Sequence, residues 1–409
     1  MPLPLHGIKV LDFTRILSGP FCTMKLGDMG AEVIKIEQPN GGDDTRSWGP
    51  PFVDGESAYF LSVNRNKKSL TLDLKTNEAK EIIRTLLLQS DVVVENFRAG
   101  VMEKLGFGYD DVQKINPKII YASISGYGQT SSRSHQPSYD LIVQGESGLM
   151  DVTGFPDGAP TKAGISLADV TAGTLCFEGI LLALLQRERT GKGERVDISL
   201  LDGLLSLFTY QSQIALSSER KVTRKGNQHP TITPYETYQT KDGFLNVAIG
   251  SESHWKNFCE AIHRTDLLRD TCFVTNSKRV ENRALLETEL KPIFLTRTNE
   301  EWISLLLKAD VPVGKINSLN DALQMEVLKE RDMLAQTLHP KIGEMKMVGN
   351  PIKLTSTSQQ TFSPPPLLGE HTEEVLSSIG YPKEMIEKFM HTAFEGGRHQ
   401  NRVNKISCS

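Results

Sequence analysis

Ala163-Gly164-Ile165-Ser166-Leu167-Ala168-Asp169-Val170-Thr171-Ala172-Gly173-Thr174 runs directly into an apolar stretch from Leu175 to Leu185. Phe177, Ile180, Leu181, Leu184 and Leu185 fall at helical spacing, which predicts a helix whose first turn opens at Asp169. A carboxylate at a helix mouth meets unpaired backbone N–H groups and the positive end of the helix dipole, both of which favour its ionised form. That form is what a nucleophilic or charge-stabilising carboxylate needs at neutral pH. Asp is also a preferred N-cap residue, and on local pattern alone a plain cap is its commoner use. The rest of the chain decides between the two readings.

Upstream of this helix, strand and helix signals alternate. Residues 8–13 read as a short apolar strand. Ser18-Gly19-Pro20 then supplies a turn and an early helical proline, Gly30 stops the helix after Met29, and residues 31–37 form the next strand. Further strands are expected at 69–74, 91–95 and 119–124, with a helix at 77–88 between the first two. Downstream, Thr190-Gly191-Lys192-Gly193 ends the Asp169 helix, followed by a strand at 194–199 and a long apolar helix at 200–216. This order predicts an α/β fold with a mostly parallel, helix-covered sheet.

After a polar linker at 217–227 the pattern changes. Residues 234–238 and 244–249 read as a hairpin turning at Asp242-Gly243, and helices are expected at 255–262, 279–294 and 299–308, making a smaller α+β domain. A polar helix beyond Gly314, short strands at 346–354, Pro364-Pro365-Pro366 and a last helix at 372–376 complete the pattern. The glycine-containing polar tail, 394–409, reads as disordered.

Composition narrows the function classes. The 409 residues are 38% apolar and 23% charged, an ordinary soluble globular balance, and the net charge of -4 with interspersed signs argues against nucleic acid as a partner. Five cysteines are scattered without a CxxC, so neither a disulfide framework nor a zinc ribbon is expected. No apolar run approaches the roughly 20 residues of a membrane span, and the start shows no signal or transit pattern. The chain therefore reads as cytoplasmic, with the mitochondrial matrix as the alternative if a presequence has been removed.

Other chemistries find little support. The loop Thr14 to Pro20 has one glycine where a dinucleotide fingerprint needs three, and there is no Walker loop or GxSxG elbow. Cys259 and His263 have a helical spacing but no second ligand pair, so no metal is expected. His371, in a Pro-rich turn, reads as structural. By contrast, Arg15, Arg46, Arg65 to Lys68, Lys75, Asn96 to Arg98 and Lys104 lie in the loops of the alternating region and together suit a phosphate-bearing ligand.

Several motifs, spread nearly end to end, carry a resemblance. They are Val10-Leu11-Asp12-Phe13-Thr14-Arg15 with Gly19-Pro20-Phe21-Cys22, residues 30–37, Asn64 to Leu74, Val94-Glu95-Asn96-Phe97, Tyr139-Asp140 with Ser147-Gly148-Leu149, the Asp169 segment, Thr190-Gly191-Lys192-Gly193, and residues 365–372. In these the chain resembles the class III CoA-transferases of the CaiB/BaiF type, which include formyl-CoA:oxalate, carnitine and succinyl-CoA-dependent dicarboxylate transferases. The resemblance implies that Asp169 is the nucleophile. It implies that CoA is contacted by Leu17, Ser18, Gln38, Leu72, Asp73, Leu74, Lys75, Asn96, Phe97, Arg98, Lys104 and Tyr139, and that Arg15 and Gly250 face the substrate acids.

Gln38 and Lys104 stand where the family often has Arg, and Gln38 removes a charge. The glycine-rich loop of the formyl-CoA:oxalate branch is missing around Ala248 to Glu252, which speaks against oxalate, whereas residues 41–51 look closer to the succinyl-CoA-dependent branch. The family architecture implies a Rossmann-like large domain (1–216 and 323–393), a small domain (228–322) inserted into it, and an interlinked homodimer. No tightly bound cofactor is implied; acyl-CoA and a free carboxylic acid are the substrates. An α-methylacyl-CoA racemase-like enzyme and a non-catalytic acyl-CoA-binding protein remain as alternatives. Tyr139 stands where a racemase carries a histidine acid/base, and a phenol with an ordinary pKa near ~10 serves that role poorly.

Overall fold

Six strands form one sheet: β1 (Lys9–Asp12), β2 (Glu32–Glu37), β3 (Lys67–Thr71), β4 (Val92–Glu95), β5 (Ile120–Ser125) and β6 (Arg195–Ser199). The structure, a computed structural model, describes residues 2–218, 221–356, 361–387 and 389; the tail at 394–409 lies outside them. Every pairing in this sheet is parallel, and neighbours run β3-β2-β1-β4-β5-β6. Parallel strands need crossovers that cover both faces, which is why Val92, Val93 and Val94 can be apolar on both sides of the sheet and fully buried. Winding steps one way from β1 to β3 and the other way from β4 to β6. It therefore reverses between β1 and β4, and in open α/β sheets ligands sit beyond the carboxyl ends of the strands at such a point.

The helices used below are α1 (Ser18–Asp28), α2 (Ala58–Val63), α3 (Asn77–Gln89), α4 (Asp140–Glu146), α5 (Leu167–Thr190) and α6 (Leu200–Leu207). Thr76 caps α3 by accepting from the Ala79 N–H, and α3 turns Ala79, Ile82, Ile83, Leu86 and Leu87 into the core. α5 packs on α1 and on β5 and β6. It is long and apolar enough to cross a membrane by length and composition alone. Gly173, Thr174, Glu178 and Gly179 interrupt its apolar run, so the sequence shows no long stretch there.

The C-terminal segment returns to the edge strand β3. His371 N–H donates to the Ser69 carbonyl (3.0 Å), its Nδ1 accepts from Ser69 N–H (3.3 Å), and Gly369 N–H reaches Ser69 Oγ (2.9 Å). These bonds cover an otherwise open edge and give His371 the structural use expected of it. Arg65 fastens the same region: its guanidinium takes both oxygens of the buried Asp28 (2.8 and 2.7 Å), donates to the Val348 carbonyl (2.7 Å) and lies 4.5 Å from the Phe362 ring centre. Arg65→Ala strands the Asp28 charge, so urea unfolding is expected to show a loss of about 3 kcal/mol or more.

Contacts divide the chain into two units. One contains the six-stranded sheet and comprises the described residues up to Ser147, Ala163–Gln213 and the described residues from Lys329 on. The second comprises Gly148–Lys162 and Ile214–Leu328. Its antiparallel sheet joins β7 (Tyr235–Gln239), β8 (Phe244–Ala248) and β9 (Val313–Lys315) in the order β9-β8-β7. The core of this unit stacks Tyr238 on Phe294 (4.2 Å between centroids), with Trp302 next to Phe294 (5.1 Å).

Several elements differ from expectation. The helix at 200–216 is broken: α6 stops at Leu207, and a second helix, Tyr210–Ser217, starts after Thr209, which has φ 42°. Residues 279–294 also hold two helices, Asn276–Glu281 and Arg283–Phe294, separated by Asn282. The strands expected at 346–354 are instead an antiparallel pair, β10 (Leu334–His339) and β11 (Gly343–Val348). The helix carrying Cys259 ends at Ala261, and His263 turns away at φ 58°, so the two never share a helical face.

Candidate active site

Asp169 is the third residue of α5, which opens at Leu167, so it is not the N-cap. Capping comes from another helix. Asp140, the first residue of α4, accepts from the Ala168 N–H through Oδ1 (2.8 Å), and Gln144 one turn later donates to its Oδ2 (2.7 Å). Gln144 also donates to the Ile165 carbonyl (3.2 Å) and accepts from Ala163 N–H (2.8 Å), strapping down the loop that feeds α5. The Ala168 N–H, one of the orphan donors of this helix start, is thus met without the Asp169 side chain.

The Asp169 carboxyl instead lies close to the hydroxyl of Ser18, the first residue of α1, which pulls its pKa down. Asn96 Nδ2 reaches Ser18 Oγ at 3.4 Å. Asn96 also clamps the loop after β1, accepting from Arg15 N–H (2.8 Å) and donating to the Arg15 carbonyl (2.7 Å). This clamp joins the loops after β1 and β4, across the point where the winding reverses. The Arg15 guanidinium lies 4.9 Å from the Phe97 ring centre and pairs with Asp44 at 3.3 Å.

Burial, and then the nearby Asp140 carboxylate, push the Asp169 carboxyl up from 3.8 to about 7, against the pull of the Ser18 bond. This corrects the expectation that the helix mouth leaves it readily ionised: desolvation and a like charge outweigh the dipole. Tyr59 on α2 faces the same charges. Burial first, then Asp169, Asp140 and Asp43, raise its phenol to about 12, so it stays protonated near the site. Nothing local in the sequence marks Tyr59. If ionised Asp169 is the reacting form, kcat/KM should rise with pH through about 7 and level off above it. A pH–rate profile that is flat from 5 to 9 would contradict that assignment.

Under the β1 loop lies a buried set of charges. Lys67 pairs with Asp12 (3.2 Å) and Lys35 with Asp43 (2.9 Å), all four side chains being fully buried. Arg46 holds Glu37 through two bonds of 2.7 Å, and Lys68 pairs with Glu32 and Glu374. Arg46, Arg65 and Lys67, read from sequence as ligand-facing cations, are therefore committed inside the fold, and Lys68, partly exposed, is taken up by two glutamates.

The remaining expected CoA contacts gather on the carboxyl-end rim of the same sheet. Leu17 is the N-cap of α1. Gln38 follows β2, exposed, with Nε2 donating to the Gly42 carbonyl (3.2 Å). After β3, Leu72 is buried with its N–H on the Glu37 carbonyl (2.8 Å), Asp73 accepts from Lys75 N–H (3.1 Å), Leu74 packs against the core and Lys75 is exposed. Arg98 follows β4 and Lys104 lies on the short helix Val101–Leu105, both exposed. Tyr139 precedes α4 and is 61% exposed. Direct contacts join Arg15, Ser18, Asn96, Phe97 and Asp169; the others share the rim only. Gly250 belongs to the second unit, just after β8, with open space around its α-carbon. Among the described residues no group of three or more His, Cys, Asp or Glu side chains is arranged to hold a metal.

Comparisons with known proteins bear on this site. The model of CoA-transferase family III matches residues 5–372. Succinyl-CoA:glutarate CoA-transferase of Mus musculus is 40% identical over 388 residues, covering 95% of this chain and 89% of that protein. Acetyl-CoA:oxalate CoA-transferase of Acetobacter aceti is 41% identical over 353 residues, covering 86% and 89%. A crystal structure of a CAIB/BAIF family protein from Brucella suis superposes with a TM-score of 0.82 at 37% identity, covering 93% of this chain and all of that one. With an acidic helix mouth set at the reversal point of a parallel sheet and a family match over nearly its whole length, the chain belongs to family III of the CoA-transferases.

Proposed function

We propose that this enzyme moves CoA from succinyl-CoA to a second dicarboxylic acid through covalent intermediates on Asp169. The observation that carries the reading is the Asp169 carboxyl itself: half-buried in the first turn of α5, beside Ser18, and raised to about 7. A partly desolvated carboxylate near its pKa at neutral pH is both available and nucleophilic. It attacks the thioester carbonyl, giving an aspartyl–succinyl anhydride and CoA thiolate. The thiolate attacks the aspartyl carbonyl, releasing succinate and leaving an aspartyl-CoA thioester. The acceptor carboxylate then opens that thioester to a second anhydride, and the thiolate attacks its acyl carbonyl, releasing the new acyl-CoA and Asp169.

The chain's own groups have distinct parts in this scheme. Ser18 and Asn96 orient the Asp169 carboxylate. Leu17, Gln38, Leu72 to Lys75, Asn96 to Arg98, Lys104 and Tyr139 line the rim for CoA, the exposed cations Lys75, Arg98 and Lys104 suiting its phosphates. Arg15 meets a substrate carboxylate. Placed at the winding reversal of a 3-2-1-4-5-6 sheet, this is a Rossmann-like arrangement. Glutarate is the first acceptor to test, because relatives from Mus musculus, Homo sapiens and Agrobacterium fabrum are all named for succinate and glutarate.

A homodimer is part of the proposal. Leu141, Ile142, Ile165, Leu182, Leu185 and Leu207 are each 47–67% exposed in the single chain, apolar side chains that a second copy would cover. Sedimentation equilibrium at micromolar concentration is expected to return the dimer mass; a monomer would contradict this part.

The decisive experiment for the activity is incubation with succinyl-CoA and a panel of mono- and dicarboxylates, followed by mass spectrometry of the acyl-CoA products. Glutaryl-CoA and free succinate are expected. Solvent deuterium entering the α-position of 2-methylacyl-CoA at a catalytic rate, with no new acyl-CoA, would move the assignment to a racemase. The exposure of Tyr139 and the use of Asp140 as the α5 cap both disfavour that reading.

A further inference from the structure

Ile16 has φ 70°, a left-handed backbone that a β-branched residue takes only under constraint. It sits between Arg15, which Asn96 clamps, and Leu17, the N-cap of α1 immediately before Ser18. Its N–H donates to both carboxylate oxygens of Asp43, at 3.2 and 3.3 Å. Asp43 is 1% exposed, comes from the loop after β2, and accepts also from Thr45 N–H (3.0 Å) and Thr45 Oγ1 (2.8 Å).

The anchor under this turn is a charge pair. Lys35 Nζ is 2.9 Å from Asp43 and donates to the Thr14 carbonyl (2.7 Å), so the pair grips the loop at residues 14 and 16, on either side of Arg15. The Asp43 N–H donates to Glu37 Oε2 (2.9 Å), and Arg46 holds Glu37 in turn. Burying an acid and an ammonium is costly unless both are well bonded. Strained backbone persists only where its surroundings over-determine it, and it concentrates at functional sites.

We propose that Asp43 is a positioning residue for the transferase: together with Lys35 it fixes the left-handed turn at Ile16 and so sets the Ser18 hydroxyl against Asp169. The proposal rests on the transferase reading of Asp169 given above. Asp43 does not touch the reacting atoms; it acts through the loop. A carboxylate, rather than any acceptor, is needed because its two oxygens meet an ammonium on one side and the Thr45 N–H on the other. An amide turns one of those contacts into a clash of donors.

The test uses the full chain as wild type, Asp43→Asn, Ile16→Gly and the double variant. The readouts are kcat and KM for both substrates, with hydrogen exchange of the amides from Thr14 to Ser18. Asp43→Asn is expected to lower kcat roughly tenfold or more, as a small misplacement of a catalytic group does, with a smaller change in KM for acyl-CoA, and to speed exchange at Ile16. Adding Ile16→Gly should recover most of the lost kcat, because glycine adopts the left-handed turn without help. A purely structural role predicts no recovery, since Lys35 still lacks its partner in the double variant. Asp43→Asn with kcat within about twofold of wild type, or a double variant no faster than Asp43→Asn, overturns the proposal.

An inactive wild type would defeat the transferase reading instead, and the exchange data would still decide this one: unchanged protection at Ile16 in Asp43→Asn overturns it. Should Asp43→Asn not fold, an amide-to-ester replacement at Ile16 deletes only the N–H donor and leaves the Lys35–Asp43 pair intact. Undiminished kcat in that variant overturns the proposal equally.

Discussion

Asp169→Asn is expected to lower CoA transfer on the order of 10⁴-fold or more, the scale seen when a covalent nucleophile is removed. The amide keeps the shape of the side chain and can still accept from Ser18, but it cannot form an anhydride. CoA binding should survive, because the proposed contacts lie in loops after β1 to β5. The same change is expected to stabilise the protein at pH 8. The Asp169 carboxyl titrates near 7 in the fold against an ordinary 3.8. Its folded pKa is raised, so its contribution to stability is intact below 3.8 and lost as pH climbs through 7. Asn has no such loss. Thermal melts should therefore place Asp169→Asn above wild type at pH 8, with the gap closing in acid. A variant that melts lower at pH 8 would contradict the raised pKa of a half-buried carboxyl, and substantial turnover, with deamidation excluded, would end Asp169's part as nucleophile.

Gly173→Ala is expected to damage both stability and activity. α1 and α5 cross where Gly173 meets the start of α1, and an added Cβ lands 2.4 Å from the Ser18 carbonyl oxygen. That obstacle is backbone, so the helices must separate. Overpacking of this kind costs about 1–3 kcal/mol. The larger effect is on kcat, since Ser18 and Asp169 lie on the two helices being pushed apart, and a loss of roughly 10²-fold follows from displacing aligned groups. Gly164→Ala is the control, because a Cβ there meets nothing within 4 Å. Equal behaviour of the two variants in urea titrations and steady-state kinetics would show that the crossing does not set the site.

The alternation of strands and helices around β1 to β6 was legible because each element announces itself locally. Val92 to Val94 read as a strand, which the structure buries on both faces, and Gly30 and Gly191 mark stops at positive φ. The breaks at Thr209 and Asn282 were not legible, since the apolar pattern continues through them. The sequence put Asp169 in the first turn of α5, two residues nearer its start than the structure does, but its protonation was not legible. Its pKa is set by burial and by Asp140, which a sequence pattern cannot place beside it. The same holds for the cations: Arg46, Arg65 and Lys67 look like any loop Arg or Lys until Glu37, Asp28 and Asp12 are seen against them. Burial of a charge is decided by its partner, and the partner is remote in the chain.

The central claim is that an acceptor oxygen passes through the Asp169 carboxyl. In the proposed sequence the acceptor attacks the aspartyl-CoA thioester, and the final thiolate attack leaves the bridging oxygen of the anhydride on Asp169. A brief turnover with succinyl-CoA and glutarate fully labelled with the heavy oxygen isotope, followed by proteolysis and mass spectrometry, reads this directly. One heavy oxygen on the peptide carrying Asp169 is the result expected, with none on that peptide from Asp169→Asn. Glutaryl-CoA formed at the wild-type rate while Asp169 gains no label would contradict the account.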